Sequence, residues 1–253
     1  MGAGLNLVRS GAGQPLVLLH PVGLDLSCWD QVAHVLEGAC EVIRLDLPGH
    51  GASPALAPGA TLSDYARAVR RTLDAEGVAP AHIAGLSFGG MIAQTLGVEH
   101  GEACSSLVLA GCPATIPDAE RPARAERGLL AVREGMAAVV ETTLERWFTP
   151  GFMASGAAEP TRERLLRQDV EGWRAAWQAI SGLHTAPHLR RVTVPALCVA
   201  GGADLAAPQA AIQAMADLIP RGSFAVLEGA PHMMQLERPE EFSALIRTHL
   251  QLG

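Results

Sequence analysis

The sequence has no run of lysines or arginines, and this absence excludes the simplest kind of nucleic-acid-binding surface. Proteins that bind nucleic acid need basic side chains clustered on one face. Here the basic residues are scattered along 253 residues, and the formal net charge is −7. The mildly acidic balance therefore indicates a partner other than DNA or RNA.

Targeting signals and long apolar runs are also missing. The first residues, MGAGLNLVRSGAG, contain neither the basic segment nor the apolar segment of a signal peptide. Asn6 stands where myristoylation needs Ser or Thr, and no apolar run is long enough to span a bilayer. We therefore expect a soluble, cytoplasmic protein that does not enter membranes.

Cysteine is scarce and forms no paired motif. The five cysteines are an odd number, include no C-x-x-C pair and lie mostly in or beside apolar stretches. This pattern predicts buried free thiols in a reducing compartment. What is abundant is apolar material, since 49% of the residues are hydrophobic, which is enough for one large core and leaves no sign of disorder.

The order of apolar and amphipathic segments predicts an α/β fold, for which this length is common in a single unit. Short continuous apolar runs indicate buried strands, and they alternate with helical patterns. Strands too apolar to face water predict a mostly parallel sheet flanked by helices. The predicted strands are 15–21, 42–47, 81–85, 104–111, 194–202 and 223–230, and the predicted helices are 61–77, 89–101, 208–220 and 238–251.

The alternation stops between residues 113 and 192. This stretch has long helical runs and no good strand. A helical insertion between two core strands is typical of a cap placed where ligands bind, at the carboxyl ends of the strands. We therefore expect a core of residues 1–112 and 193–253 and a helical cap of residues 113–192.

Residues 85–89, GLSFG, place Ser87 between a predicted strand and a predicted helix. A G-x-S-x-G pattern in this context predicts a nucleophile elbow, a strained turn that exposes the serine hydroxyl above the sheet. The N-terminus of the following helix would favour a developing oxyanion. The alternative is a glycine-rich turn whose serine has no chemical role.

A serine hydroxyl needs a base, and in this architecture the order along the chain is serine, acid, histidine. His232 follows a predicted strand and precedes the final helix, so its loop can bring the imidazole over the sheet edge. His100 and His249 lie on helices and are interpreted as partly exposed polar residues.

The two remaining downstream histidines, His184 and His188, have a spacing that could bind a metal on a helix. Pro187 lies between them and would break such a helix, and no carboxylate or thiol completes the ligand set. We therefore expect no metal site and no cofactor.

The acid that orients His232 is predicted to be Asp204. It follows a strand within a glycine-rich loop and precedes a helix that begins with proline. Such a position suits the carboxylate that holds the imidazole and stabilises its protonated form. An Asx turn is the structural alternative for Asp204, and the weaker candidates for the acid are Asp118, Asp217 and Glu228.

An oxyanion hole needs two backbone N–H donors. One is expected from Phe88, directly after the nucleophile, and the other from the loop after an early strand, where Val22 is the best candidate. His20 precedes this loop and is interpreted as a residue that braces it.

Taken together, these motifs resemble the α/β-hydrolase superfamily. HPVG (20–23), DLPGHGAS (46–53), GLSFGG (85–90), and the pair GGADLAAP and GAPHMMQLERPEEF occur in the family's order and span nearly the whole chain. The resemblance implies that Ser87 is the nucleophile, Asp204 the acid and His232 the base. One departure is Pro21 where glycine is commoner, and proline has no N–H to donate.

Within that superfamily the chain is most similar to the 3-oxoadipate enol-lactonases, through HPVGLDLSCWD, GLSFGGMIAQTLG, ERWFTPGF and DVEGWRAAWQAI. This narrower resemblance implies a small enol-lactone substrate that bears a carboxylate. Such a substrate needs a nearby cation, for which Arg146 is the first candidate and Arg133 the second. Trp147 is expected to line the pocket, whereas Trp173 and Trp177 fit either the pocket or the cap core.

Several alternatives remain open on the sequence alone. The same fold serves generic carboxylesterases and lactonases, carbon–carbon bond hydrolases and cofactor-free haloperoxidases. A dehalogenase is disfavoured because it needs a carboxylate at the position of Ser87. A ligand receptor that has kept the fold without turnover belongs to a different functional class. The sequence does not indicate an oligomeric state.

Overall fold

A seven-stranded sheet forms the centre of the computed structural model, which describes residues 4–252. The sheet order is β1-β3-β2-β4-β5-β6-β7, and every neighbouring pair is parallel except β1 and β3. The mostly parallel α/β fold is therefore confirmed. The strands are β1 (Leu7–Ser10), β2 (Pro15–Leu19), β3 (Glu41–Leu45), β4 (Ala81–Leu86), β5 (Cys104–Ala110), β6 (Ala196–Gly201) and β7 (Gly222–Leu227).

The central strands are apolar because helices cover both faces of the sheet. Every residue of β6 is buried, and β4 and β5 each have one residue that is not. The helices are α1 (Asp30–Leu36), α2 (Leu62–Ala75), α3 (Phe88–Glu99), α4 (Arg121–Glu134), α5 (Ala137–Trp147), α6 (Pro150–Ala154), α7 (Glu159–Leu166), α8 (Val170–Ser181), α9 (Gln209–Leu218), α10 (Met234–Glu237) and α11 (Pro239–Leu250).

Helices α4 to α8 all lie between β5 and β6, in the stretch predicted to be a cap. The only bridge within residues 113–192 is an isolated pair between Thr115 and His184. Helices α4 and α8 pack closely, since a Cβ atom at Gly128 would be 2.8 Å from the Cα of Arg174. The division of the chain at residues 112 and 193 remains a proposal.

Three core elements were not expected from the sequence: β1, α1 and the four-residue helix α10. Strand β1 is a short edge strand whose two middle residues, Val8 and Arg9, are exposed. Arg9 pairs with Glu41 on β3, so the strand has no continuous apolar run. Helix α1 has only seven residues, too few for a clear periodic signal. Within residues 4–252 no helix has both the length and the apolar character needed to cross a membrane.

The five cysteines lie buried with free thiols, as expected from their apolar neighbourhoods. Burial raises the pKa of each thiol, most strongly those of Cys28 and Cys112. A thiol whose pKa is raised is mostly protonated near neutral pH and reacts slowly.

Candidate active site

Ser87 occupies a strained turn between β4 and α3. Its backbone has φ 54° and ψ −113°, a conformation that residues other than glycine rarely adopt. The turn is held by a hydrogen bond from the Ser87 N–H to the Ala110 carbonyl at 2.8 Å. Glycine is required on both sides, because a Cβ atom at Gly85 or Gly89 would collide with backbone atoms of Gly89 or Leu19.

His232 and Asp204 meet beyond the ends of β7 and β6. His232 Nδ1 lies 2.8 Å from Asp204 Oδ2, and the side chains are 3% and 0% exposed. Asp204 Oδ1 accepts hydrogen bonds from the N–H groups of Ala206 and Ala207, at 2.7 and 3.0 Å. Both carboxylate oxygens of Asp204 are therefore held by hydrogen bonds. The Asx turn, considered above as an alternative to a catalytic role, is present and orients the carboxylate toward His232.

This pairing sets the tautomer of His232. With the Nδ1–H donated to Asp204, Nε2 becomes the acceptor that a neutral imidazole offers. Gly111, just after β5, lies against the ring with φ +56°, and a Cβ atom there would be 3.3 Å from both Cε1 and Nδ1 of His232. The end of β5 therefore limits where the imidazole can sit.

Ser87 and His232 line the same cavity at the carboxyl ends of the strands. Its volume is about 50 Å³, room for a few water molecules. Its lining comes both from the predicted core and from the predicted cap. The apolar lining residues include Val22, Met91, Ile116, Trp147, Trp177 and Ile180.

The loop that carries Val22 is braced by His20. His20 Nδ1 donates to the Pro21 carbonyl at 2.8 Å, and Nε2 accepts from the Leu47 N–H at 2.8 Å. Burial lowers the pKa of His20 to about 4, so the ring is neutral near pH 7 and serves as a brace. Val22 lines the cavity beside Ser87, and Val22 and Phe88 remain the predicted oxyanion donors.

The arginines that line the cavity are Arg124 and Arg127, on α4. Arg146 lines a neighbouring cavity with Arg127 and donates from Nη2 to the Leu205 carbonyl at 3.1 Å. Arg133 is exposed, pairs with Glu126 and lines neither cavity. The structure thus corrects the placement of Arg133, because its position on α4 turns it toward solvent.

Sequence reasoning overlooked Arg127, although a signal was present. Arg121, Arg124 and Arg127 repeat every third residue, which places them near one face of a helix. That pattern could identify a basic helix face, but the packing of α4 against α8 decides that this face contributes to the cavity.

The three cap tryptophans have different environments. Trp147 lines the cavity with its ring centre 6.4 Å from that of His232, and its carbonyl accepts from the Met233 N–H at 3.0 Å. Trp177 also lines the cavity. Trp173 belongs to the cap core, where its Nε1–H donates to the Arg127 carbonyl at 3.1 Å.

The weaker candidates lie elsewhere. Asp118, Asp217 and Glu228 are exposed, and none contacts the His232 ring through a hydrogen bond or ion pair in the described part of the chain. His184 joins the isolated bridge, and His188 lies in a separate short turn of 3₁₀ helix. Across residues 4–252 no cluster of His, Cys, Asp and Glu has the arrangement of a metal site.

Comparisons with known proteins support the same fold. A family model described as alpha/beta hydrolase family matches residues 16–245. The chain is 29% identical over 243 residues to 3-oxoadipate enol-lactonase 2 of Acinetobacter baylyi, covering 94% of this chain and 90% of that protein. It is 30% identical over 249 residues to the pimeloyl-[acyl-carrier protein] methyl ester esterase of Chromobacterium violaceum, with coverage of 95% and 96%.

A solved structure gives the same result in three dimensions. The enol-lactonase from Burkholderia xenovorans LB400 superposes with a TM-score of 0.92 at 28% sequence identity, covering 98% of this chain and 96% of that chain. The similarity to this enol-lactonase therefore extends beyond the motifs to the arrangement of nearly the whole chain.

Proposed function

The chain belongs to the alpha/beta hydrolase family, and from that premise we propose that it is a serine hydrolase acting on a small carboxylic ester or lactone. The observation that carries the proposal is the cavity shared by Ser87 and His232, with His232 hydrogen-bonded to Asp204. Relatives named as lactone and ester hydrolases support the same class of reaction.

The reaction would begin with attack of Ser87 Oγ on the substrate carbonyl while His232 Nε2 accepts the hydroxyl proton. Asp204 stabilises the imidazolium through Nδ1–H. The negative charge that forms on the carbonyl oxygen is stabilised by two backbone N–H groups, that of Val22 in the loop after β2 and that of Phe88 at the start of α3. The strained turn at Ser87 positions its hydroxyl for this attack.

Collapse of this intermediate breaks the carbon–oxygen bond, and the leaving oxygen takes the proton from His232. In a lactone the leaving oxygen stays tethered to the acyl group, so ring opening gives one acyl-enzyme and no separate alcohol. Water then attacks the acyl carbon with His232 as the base, and the product acid leaves Ser87 free.

Within this class we favour an enol-lactone that carries a carboxylate. The similarity to the enol-lactonases and the arginines of the cavity wall support this choice. A small apolar ester is the second candidate, since most of the lining is apolar and a methyl ester esterase is a relative. The carbon–carbon hydrolase and haloperoxidase activities have no specific support in the cavity.

A substrate panel tests the proposal. We expect wild-type protein to open a carboxylated enol-lactone with a higher kcat/KM than a neutral lactone or a short aryl ester, and Ser87→Ala to lose turnover of all three. Preference for the aryl ester would favour the carboxylesterase. Failure of a fluorophosphonate to label Ser87, together with no turnover, would favour a receptor.

A further inference from the structure

Arg127 is a charged residue of the cavity wall without an acidic partner in residues 4–252. Other arginines of the same helix have acidic partners, since Arg124 pairs with Glu120 and Arg133 with Glu126. Arg127 lines the cavity that contains Ser87 and His232. Burying a cation without a partner costs free energy, and an anion bound beside Arg127 would reduce that cost.

The surroundings of Arg127 favour the binding of an anion beside its guanidinium. Its pKa is lowered to about 10, first by burial and then by the neighbouring positive charges of Arg146 and Arg124. Arg146 lines a second cavity with Arg127, and its Nε atom is buried without a hydrogen-bond partner. The positive charges of Arg124, Arg127 and Arg146 therefore lie close together where the two cavities meet at Arg127.

Trp177 supplies a second, independent observation. It is 6% exposed and lines the same cavity, and its Nε1–H is buried without a hydrogen-bond partner. Buried N–H groups nearly always have a hydrogen-bond acceptor. An acceptor atom of a bound ligand would satisfy the Trp177 Nε1–H. The Arg127 guanidinium lies over the Trp177 ring, 4.9 Å from its centre, which holds the two donors together.

The backbone beneath these donors is fixed. Trp173 Nε1 donates to the Arg127 carbonyl, and Gly128 permits α4 to approach α8 at Arg174. Arg127 on α4 and Trp177 on α8 are thereby held across a close helix contact. The backbone that carries the two donors therefore needs little ordering when a ligand binds, which favours affinity.

We propose that the Arg127 guanidinium and the Trp177 Nε1–H form a carboxylate-binding subsite of the active-site cavity. The inference rests on the proposed ester and lactone hydrolysis, and it narrows the substrates to esters and lactones that carry a free carboxylate on the molecule attacked by Ser87. Arg146 has a supporting role, tying the cap to the loop of Asp204 through the Leu205 carbonyl.

Two matched esters test the subsite: the mono-p-nitrophenyl ester of glutaric acid and the same ester with its free carboxylate replaced by a primary amide. We expect wild-type protein to prefer the carboxylate in kcat/KM by about 10- to 100-fold, the range for a hydrogen bond to a charged group. Arg127→Gln should remove most of that preference, and Trp177→Phe, which keeps the ring, should remove part of it.

Arg167→Gln is the control, because Arg167 is a cap arginine that is 68% exposed and pairs with Glu163; it should keep the wild-type preference. Equal kcat/KM for the two esters in wild-type protein, or an unchanged preference in Arg127→Gln, would overturn the subsite. Should Arg127→Gln not fold, Trp177→Phe decides: an unchanged preference in that variant would equally overturn the subsite.

Calorimetric binding of glutarate separates this proposal from the proposed function. With Ser87→Ala as the host, we expect glutarate to bind, to bind at least tenfold more weakly when Arg127→Gln is added, and to lose affinity by a smaller factor when Trp177→Phe is added. Binding without turnover of any ester in the Ser87 protein would leave the subsite standing and refute the hydrolase. Turnover with no effect of either substitution on glutarate binding would refute the subsite alone.

Discussion

Substitution of Gly111 by alanine should displace the imidazole of His232 without touching the nucleophile. The new Cβ atom would lie 3.3 Å from Cε1 and Nδ1 of His232 and 3.6 Å from Asp204 Oδ2, so the ring must move by a few tenths of an ångström. Misplacement of a reacting group by about 1 Å can lower a rate by about 100-fold. We therefore expect kcat to fall by about tenfold, with a smaller change in KM.

The same substitution also strains the backbone, and the two effects need to be separated. Gly111 has φ +56°, at which alanine costs about 1–2 kcal/mol of stability. Gly77 has φ +65°, but a Cβ atom added there would meet no other atom within 4 Å, so Gly77→Ala should lose similar stability in urea unfolding and keep its kcat. Wild-type kcat in Gly111→Ala would refute the close packing of Gly111 against His232.

Three further predictions concern stability and thiol reactivity. Acidification from about pH 6.5 to 4 should lower the free energy of unfolding, because burial lowers the pKa of His20 to about 4 and the unfolded chain binds more protons in that window. Urea unfolding against pH should show a contribution on the order of 3 kcal/mol, which His20→Asn should remove; the same slope in that variant would contradict the assignment. Thr149→Val should destabilise the protein by about 1.5–3 kcal/mol, since the Thr149 hydroxyl donates to Glu237 at 2.5 Å, whereas Thr149→Ser should retain stability; equal losses would refute this contact. Ellman's reagent should modify none of the five buried cysteines until denaturant is added, and rapid reaction of the native protein would show that a thiol is accessible.

The core of the fold could be predicted because a parallel sheet leaves a clear pattern. Strands covered on both faces are mostly apolar, as β2 and β6 are throughout and as β4 and β5 are apart from His82, Ser105 and Ser106. Strand β1 was not predicted because an edge strand does not need a run of apolar residues, and the side chains of its middle residues are exposed to solvent. Helix α1 packs against α11, which is distant in the sequence. The periodicity of a short segment carries no information about such contacts, so α1 could not be predicted.

The proposed catalytic residues could be selected from the sequence because each follows a strand in a loop with strong turn signals. Since the carboxyl ends of parallel strands lie at one edge, Ser87, Asp204 and His232 were expected to converge. The cap offered no comparable rule. Arg127, Arg133 and Arg146 all lie on helices, and which of them faces the cavity depends on how α4, α5 and α8 pack.

Identification of the acylated residue tests the central claim most directly. Wild-type protein mixed with a p-nitrophenyl ester and quenched in acid within a turnover should carry one acyl group, and peptide mass spectrometry should place it on Ser87. Ser87→Ala should carry none and should not hydrolyse the ester. An acyl group on another residue, or ester hydrolysis by Ser87→Ala at the wild-type rate, would contradict the assignment of Ser87 as the nucleophile.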